Sequence, residues 1–236
     1  MTDSLADRVI AVAGAAGSLG PSVVQRLATA GSRVCACGRD RASLEALAAG
    51  VRADIDIDVV DLLEANATRT WAARLAGRHG RVDGLVHLVG GWRGGTPIEE
   101  ASLEDWAFLE PLLVGTLQNA TQAFAPALLE SEHGRVVVIS TGQAQAPTHK
   151  NAVYAAGKAA AEAWTLALAD RFRGTGATAN IVVVGAIVTR AMRAESPEKD
   201  FSTFTPAEDI ADAIAYICSH AAATMNGQRL TLRGSA

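Results

Sequence analysis

Tyr154 and Lys158 are the residues whose types and spacing most directly indicate chemistry in this chain. They lie four positions apart at the head of an alanine-rich run that extends to Ala169, and a helix there places both side chains on one face. An ammonium beside a phenol favours the phenolate and lowers the pKa of the phenol. Such a tyrosine could donate a proton to a carbonyl oxygen or accept one from an alcohol. The alternative is an apolar tyrosine ring beside a solvated lysine, and the spacing alone does not distinguish the two. Other features of the chain must show whether this pair is catalytic.

A glycine-rich turn near the start of the chain indicates phosphate binding. The apolar run from Val9 to Ala13 predicts a strand buried on both faces, and a helix is predicted from Val23 to Ala30. Glycines between such elements let backbone amides approach a pyrophosphate, and the helix N-terminus adds positive potential. The alternative is a plain turn, but the strand–turn–helix context favours a dinucleotide. The candidate cofactor-binding residues here are Gly14, Gly17, Ser18, Leu19 and Gly20.

The end of the second predicted strand bears on which dinucleotide binds. This strand runs from Arg33 to Cys37 and is followed by Gly38, Arg39 and Asp40. A carboxylate at this point accepts from a free ribose 2′-hydroxyl, whereas an arginine accommodates a 2′-phosphate. Arg39 therefore predicts a preference for NADP(H), with NAD(H) as the other option. The alternative for Arg39 is a solvated residue at the start of the next helix.

Composition and charge exclude several classes of protein. The net charge is −4, with 21 basic and 25 acidic residues mixed along the chain, so no nucleic-acid partner is expected. No apolar run reaches membrane-spanning length, so no membrane partner is expected. Cys35 and Cys37 alternate along one strand as small core residues, without further cysteines or histidines nearby, and we predict no metal site. No disulfide framework is present, which favours a cytoplasmic protein.

The order of predicted elements indicates the fold class. Strands alternate with helices along the whole chain, which predicts an α/β protein with one doubly wound parallel sheet of about seven strands and helices on both faces. The length of 236 residues suits a single domain over 1–236. Ligands of such sheets bind outside the carboxyl ends of the strands. A polar stretch around residues 190–205 is predicted to form a substrate lid.

Three local predictions concern the ends and interruptions of helices. Asp61 and Glu64 form a capping-box pattern, which predicts a helix from Asp61 to Arg78. A second capping box is predicted at 205–208. The stretch from Leu103 to Ser131 reads as a long helix that Pro111 and a second proline at 126 kink or interrupt.

Taken together, these features resemble the short-chain dehydrogenase/reductase family over nearly the whole chain. The resemblance implies a Rossmann fold, a nicotinamide cofactor, reversible hydride transfer between the nicotinamide and a small carbonyl or alcohol, and a homodimer or homotetramer. The matching positions are Gly14 to Gly20, Asp58, Val59, Gly90, Thr141, Tyr154, Lys158, Thr189 and Asn226-Gly227-Gln228.

The resemblance also implies roles for individual residues. Tyr154 would be the catalytic acid or base, Lys158 would hold the nicotinamide ribose, and Thr141 would bind the substrate oxygen in place of the usual serine. For cofactor binding, the resemblance implies adenine contacts, a backbone close to the cofactor and carboxamide contacts. Asp58 and Val59 would contact the adenine, and the backbone of Gly90 would lie close to the cofactor. Ile187 and Thr189 would contact the carboxamide.

Four departures from the family pattern concern proton transfer more than cofactor binding. Ser18 replaces a glycine of the phosphate turn, and His87-Leu88-Val89 replaces an Asn-Asn-Ala segment. Leu112 replaces the asparagine assigned to a proton relay, and Val184 replaces a proline. One alternative to an enzyme is therefore a cofactor-sensing binding protein that has lost catalysis.

A narrower likeness to dihydropteridine reductase rests on the segments 90–95 and 192–206. It implies a second alternative, a reductase of a quinonoid pterin. Trp92 would then stack on a flat substrate, or it roofs the pocket without a substrate role. Phe201 in the lid either excludes water from the substrate or packs the lid onto the domain.

Overall fold

The computed structural model describes residues 5–234, and a parallel sheet of seven strands runs through them in the order β3-β2-β1-β4-β5-β6-β9. All six pairings within this sheet are parallel. A separate parallel pair joins β7 to β8. The strands are β1 (Val9–Ala13), β2 (Arg33–Gly38), β3 (Asp56–Val59), β4 (Gly84–His87), β5 (Arg135–Thr141), β6 (Thr178–Val184), β7 (Ile187–Val188), β8 (Thr205–Pro206) and β9 (Arg229–Thr231).

Helices connect the strands and cover both faces of the sheet. They are α1 (Gly20–Thr29), α2 (Arg41–Gly50), α3 (Ala65–His79), α4 (Leu103–Glu110), α5 (Thr116–Glu130), α6 (Ala152–Arg171), α7 (Arg190–Glu195) and α8 (Ala207–Cys218). Within residues 5–234, no helix combines the length and the hydropathy needed to cross a membrane.

The two faces of the sheet carry separate hydrophobic layers. Ile10 and Val12 point from β1 into a layer that α1, α2 and α8 cover, whereas Val9, Ala11 and Ala13 point into a layer that α3, α5 and α6 cover. This alternation follows from the two-residue period of a strand, and burial on both faces explains the uninterrupted apolar run. The predicted doubly wound α/β sheet with helices on both faces is confirmed.

The predicted capping box at Asp61 is wrong. Helix α3 begins four residues later, at Ala65, and the Asp61 carboxylate instead accepts from the backbone N–H of Leu63 at 3.0 Å. Aspartate side chains commonly bond the backbone two residues on and so form a turn, and that local bond replaces the helix start predicted here.

The second predicted capping box, at Thr205, is also wrong. Thr205 and Pro206 form β8 and pair with Ile187 and Val188, and α8 begins only at Ala207. The Thr205 hydroxyl is buried and has no hydrogen-bond partner among the described residues. Pairing with a distant segment thus overrides the local capping pattern.

Pro111 interrupts the long helical stretch as predicted. Helix α4 ends at Glu110, a π-helical turn spans Pro111–Gly115, and α5 follows at once. Proline has no N–H to donate to the preceding turn, and a wider turn accommodates the missing bond. Helix α6 packs closely on this turn, because a Cβ at Gly157 would lie 2.9 Å from Cδ1 of Leu113.

The glycine-rich turn between β1 and α1 depends on two glycines for different reasons. Gly14 has a φ of +76°, a conformation that strains other residues. At Gly20 a Cβ would lie 1.8 Å from the carbonyl oxygen of Ala15, so the first turn of α1 packs directly against the turn before it.

Replacing Gly20 with alanine should therefore destabilise the fold. Relief of the contact with the Ala15 carbonyl requires a backbone shift, and we expect Gly20→Ala to lower the free energy of unfolding by about 1–3 kcal/mol in urea denaturation. Gly77→Ala is the matched control, because a Cβ there meets nothing within 4 Å in the exposed part of α3. This control should gain about 0.4–1 kcal/mol. Equal effects of the two substitutions would contradict the packing argument.

Candidate active site

A cavity of about 610 Å³ opens at the carboxyl ends of the central strands. Its walls come from the glycine-rich turn after β1, the segment after β4, the end of β5, the start of α6 and the segment after β6. The cavity thus combines the predicted phosphate turn with the predicted proton donor. The predicted site residues that line it are Gly14, Gly17, Ser18, Leu19, Gly20, Gly90, Trp92, Thr141, Tyr154, Lys158 and Ile187.

Three predicted adenosine contacts lie beside this cavity rather than in its lining. Arg39 follows β2 and is exposed, while Asp58 and Val59 end the neighbouring strand β3. Both oxygens of the Asp58 carboxylate already accept hydrogen bonds, from Arg74 at 2.6 Å and from the Trp71 indole at 3.0 Å.

Thr189 and Phe201 are not brought into the cavity lining. Thr189 precedes α7, and its hydroxyl accepts from the backbone N–H of Met192 at 3.2 Å. Phe201 is only 6% exposed and packs edge-to-face on Phe204, with ring centroids 5.2 Å apart. In this conformation Phe201 therefore packs the lid, which was one of the two options that the sequence left open.

Tyr154 and Lys158 lie on adjacent turns at the start of α6. Lys158 is almost fully buried, and its Nζ donates to the carbonyl oxygen of Ile139 on β5 at 2.8 Å. That bond holds Nζ 6.0 Å from the centre of the Tyr154 ring. Burial lowers the pKa of Lys158 to about 8, and the negative charge of Glu162 opposes this effect.

The expected lowering of the Tyr154 pKa by Lys158 is wrong for this conformation. Burial of the phenol raises the pKa of Tyr154 instead, because a buried phenolate loses its hydration. The ammonium of Lys158 is directed at β5 rather than at the phenol. Tyr154 is therefore a protonated phenol near neutral pH, which is the form that can donate a proton.

Thr141 closes the other side of the cavity at the end of β5. It is 8% exposed, and its hydroxyl oxygen faces the backbone N–H of Gln143 at 3.5 Å, the long limit for a hydrogen bond. A hydroxyl that accepts one weak bond keeps its proton for another acceptor. Thr141 thus retains the hydrogen-bonding capacity that the family assigns to serine.

Glu162 is a buried acid behind the cavity that the sequence analysis missed, as it missed the lining residues Ser140 and Gln143. Its carboxylate is almost fully buried and accepts from Ser140 at 2.5 Å, from Gln145 at 2.8 and 2.9 Å, and from Arg229 at 2.6 Å. These partners join the end of β5, the following loop and β9. The available indication was its position four residues after Lys158, on the same helix face.

Removing the charge of Glu162 should change the pH dependence at Lys158. Because this charge raises the pKa of Lys158, Glu162→Gln should lower that pKa, and the cation should be lost at a lower pH as the pH rises. We expect the affinity for NADPH, measured by calorimetry, to fall above about pH 8 in the wild type and at lower pH in the variant. Asp170→Asn, which changes an exposed carboxylate on the same helix, should keep the wild-type profile. Superimposable profiles for the wild type and Glu162→Gln would contradict this role.

His87 is a neutral core residue. Its Nε2 lies 3.1 Å from the hydroxyl oxygen of Thr116, which donates to the carbonyl oxygen of Leu112 at 2.6 Å. The hydroxyl has a single proton, so His87 must be the donor to it. Burial and the nearby charge of Lys158 lower the pKa of His87 to about 3.

The fold and the cavity define a dinucleotide-type α/β protein, and comparison with known proteins gives the family. A family model described as short chain dehydrogenase matches residues 8–200. The chain therefore belongs to the short-chain dehydrogenase/reductase family of oxidoreductases. Nicotinamide-dependent hydride transfer is the activity that this membership implies.

Individual relatives cover nearly the whole chain. A D-threitol dehydrogenase of Mycolicibacterium smegmatis is 29% identical over 240 residues, which cover 96% of this chain and 92% of the relative. A solved structure from Pseudomonas syringae, assigned to the short chain dehydrogenases, is 28% identical with a TM-score of 0.85 over 98% of this chain and 97% of the other. A Shigella flexneri chain in complex with NADP has the same fold, with 24% identity and a TM-score of 0.87 over 98% of this chain and 99% of the other.

Proposed function

We propose that this protein is an NADP(H)-preferring oxidoreductase that interconverts a small carbonyl compound and the corresponding alcohol. The observation that carries the proposal is that Tyr154, Lys158 and Thr141 line the same cavity as the glycine-rich turn. A proton donor and a dinucleotide cradle in one cavity are the two requirements of carbonyl reduction by a nicotinamide. The relative named D-threitol dehydrogenase supports a substrate of the alcohol or carbonyl class.

The residues around the cavity fit a dinucleotide. At Gly17 an added Cβ would contact only the backbone oxygen of Gly14, at 3.3 Å, so the turn presents its main chain rather than a side chain. At Gly90 a Cβ would lie 4.0 Å from Nζ of Lys158, so this glycine leaves the space beside the lysine free. Helix α1 begins at Gly20 and directs its positive N-terminus at the turn.

The preference for NADP(H) rests on the residues that follow β2. The Asp40 carboxylate caps α2, because it accepts from the backbone N–H of Ser43 at 2.7 Å and from its hydroxyl at 2.6 Å. Both bonds fall on Oδ2, so the helix cap fixes the orientation of the Asp40 carboxylate. Arg39 is exposed beside it and supplies the charge that a 2′-phosphate requires.

Different residues of the chain carry out different parts of the reaction. The nicotinamide, when bound, supplies or accepts the hydride. The Tyr154 hydroxyl donates a proton to the substrate oxygen during reduction and accepts it during oxidation, while the Thr141 hydroxyl orients that oxygen. Lys158 holds a positive charge beside the cofactor-binding surface, and Glu162 keeps that charge in place from the next turn of α6.

The substrate side of the cavity is formed by Trp92 and by the proposed lid at 190–205. Trp92 lines the cavity and is 61% exposed, so its indole is available to a flat or apolar substrate. The β7–β8 pair holds both ends of the lid. Phe201 is buried within this stretch in the observed conformation, where its ring packs on Phe204.

Tyr154→Phe should separate chemistry from cofactor binding. Loss of the hydroxyl removes the proton donor, so we expect kcat to fall about 100-fold or more while the calorimetric Kd for NADPH changes little. NADPH oxidation with a panel of ketones and a quinonoid dihydropterin measures kcat and identifies the better substrate class. Tyr216→Phe, which alters an exposed tyrosine on α8, is the control and should behave as the wild type. Unchanged turnover in Tyr154→Phe would refute the assigned role.

Arg39→Ala should weaken the discrimination between NADPH and NADH. A charge-assisted contact with the 2′-phosphate contributes about 1.5–3 kcal/mol, so we expect the ratio of the two Kd values to change about 10- to 100-fold, with NADH binding unaffected. Arg41→Ala is the matched control, because Arg41 is exposed two residues later and faces Glu45. The NADP preference would be disproved if Arg39→Ala left the ratio unchanged.

A further inference from the structure

Three metal-ligating side chains meet at the outer edge of the sheet, toward the end opposite the cavity. Cys35 lies in β2, and its partner in the strand register is Asp56, the first residue of β3. His79 is the last residue of α3 and packs on both of them. The cavity, by contrast, lies beyond the carboxyl ends of the strands.

The three ligand atoms are spaced like one face of a small coordination tetrahedron. The Cys35 Sγ lies 3.6 Å from Nε2 of His79 and 3.8 Å from Oδ2 of Asp56, and the histidine and carboxylate atoms are 2.9 Å apart. Zinc bonds of about 2.3 Å to sulfur and about 2.0–2.1 Å to nitrogen or oxygen at tetrahedral angles give separations of about 3.3–3.6 Å. To reach that geometry, the histidine–carboxylate distance must open by about 0.4 Å and the sulfur–carboxylate distance must close by about 0.2 Å.

We propose that Cys35, Asp56 and His79 bind a zinc ion that fastens α3 to the edge of the sheet. A thiolate, an imidazole and a carboxylate together favour zinc or cobalt over magnesium or calcium, which prefer oxygen ligands alone. Asp56 is partly exposed, with 26% of its side chain accessible, so a water molecule from solvent completes the four ligands.

Neighbouring charges orient the ligands of this site. The second carboxylate oxygen of Asp56 lies 3.3 Å from the Arg78 guanidinium, which leaves Oδ2 directed at the thiol and the imidazole. Zinc with one thiolate and one carboxylate is electrically neutral, so Arg78 faces no excess positive charge. Burial and the Asp56 charge raise the pKa of the Cys35 thiol to about 12, so binding must displace that proton and strengthens as the pH rises.

The simplest alternative is a hydrogen-bonded cluster without a metal, and cobalt binding distinguishes the two. Stoichiometric Co²⁺ added to the chelator-treated full-length protein should produce the near-ultraviolet absorption of a cobalt–thiolate bond. Cys35→Ser and His79→Gln should each abolish or sharply weaken that band. Cys218→Ser, which removes a buried thiol elsewhere, should retain it.

Zinc should also raise the thermal midpoint of the wild type and of Cys218→Ser, and should leave that of His79→Gln unchanged. His79→Gln removes a second ligand and leaves the buried thiol intact, so it tests the site even if Cys35→Ser fails to fold. Absence of the thiolate band in the wild type, or an equally strong band in Cys35→Ser, would overturn the proposal. These readouts do not involve turnover, and the result is independent of the proposed enzymatic function.

Discussion

A buried ammonium is the constraint on which the arrangement of the active site depends. Taking the Lys158 side chain out of water is costly, and two features of the chain offset that cost: the Ile139 carbonyl oxygen and the charge of Glu162 one turn further along α6. Each of them fixes the helix relative to the sheet. The Ile139 contact ties α6 to β5, while Glu162 ties it to the loop after β5 and to β9 through Gln145 and Arg229. The position of Tyr154 follows, because it stands on the same rigid helix.

A short chain of hydrogen bonds surrounds Leu112, the position where the family pattern has the asparagine assigned to a proton relay. Leu112 carries no side-chain donor, and its carbonyl oxygen is occupied by the Thr116 hydroxyl, which in turn accepts from His87. These bonds involve only the π-helical turn, the first residue of α5 and strand β4. The turn still packs against α6 at Gly157. The polar groups around Leu112 are therefore satisfied among themselves, while the same turn supports α6, the helix that carries Tyr154.

Several features that short segments encode were predictable from the sequence, although the two capping boxes were not. Features that join distant segments escaped prediction. The apolar strands, the glycine-rich turn and the Tyr154–Lys158 spacing are local patterns, and the structure places them as expected. The partners of Glu162 come from three separate elements, and no local pattern indicates them. The same reason explains why the neighbours of Cys35 escaped notice, since His79 is 44 positions away. The direction of the Tyr154 pKa shift depended on burial, which spacing alone does not reveal.

The short β7–β8 pair separates the stretch between its two strands from the seven-stranded sheet, so sequence changes act differently in the two regions. Main-chain bonds join the two strands at the base of the lid, so the stretch between them forms a closed loop with a fixed hinge. The β7–β8 pair is separate from the seven-stranded sheet, so a change in the length of this proposed lid need not shift the register of the central strands. In the glycine-rich turn, by contrast, an added Cβ at Gly14 or Gly20 would lie against neighbouring backbone. The sequence of the proposed lid can therefore diversify while the glycine-rich turn stays unaltered.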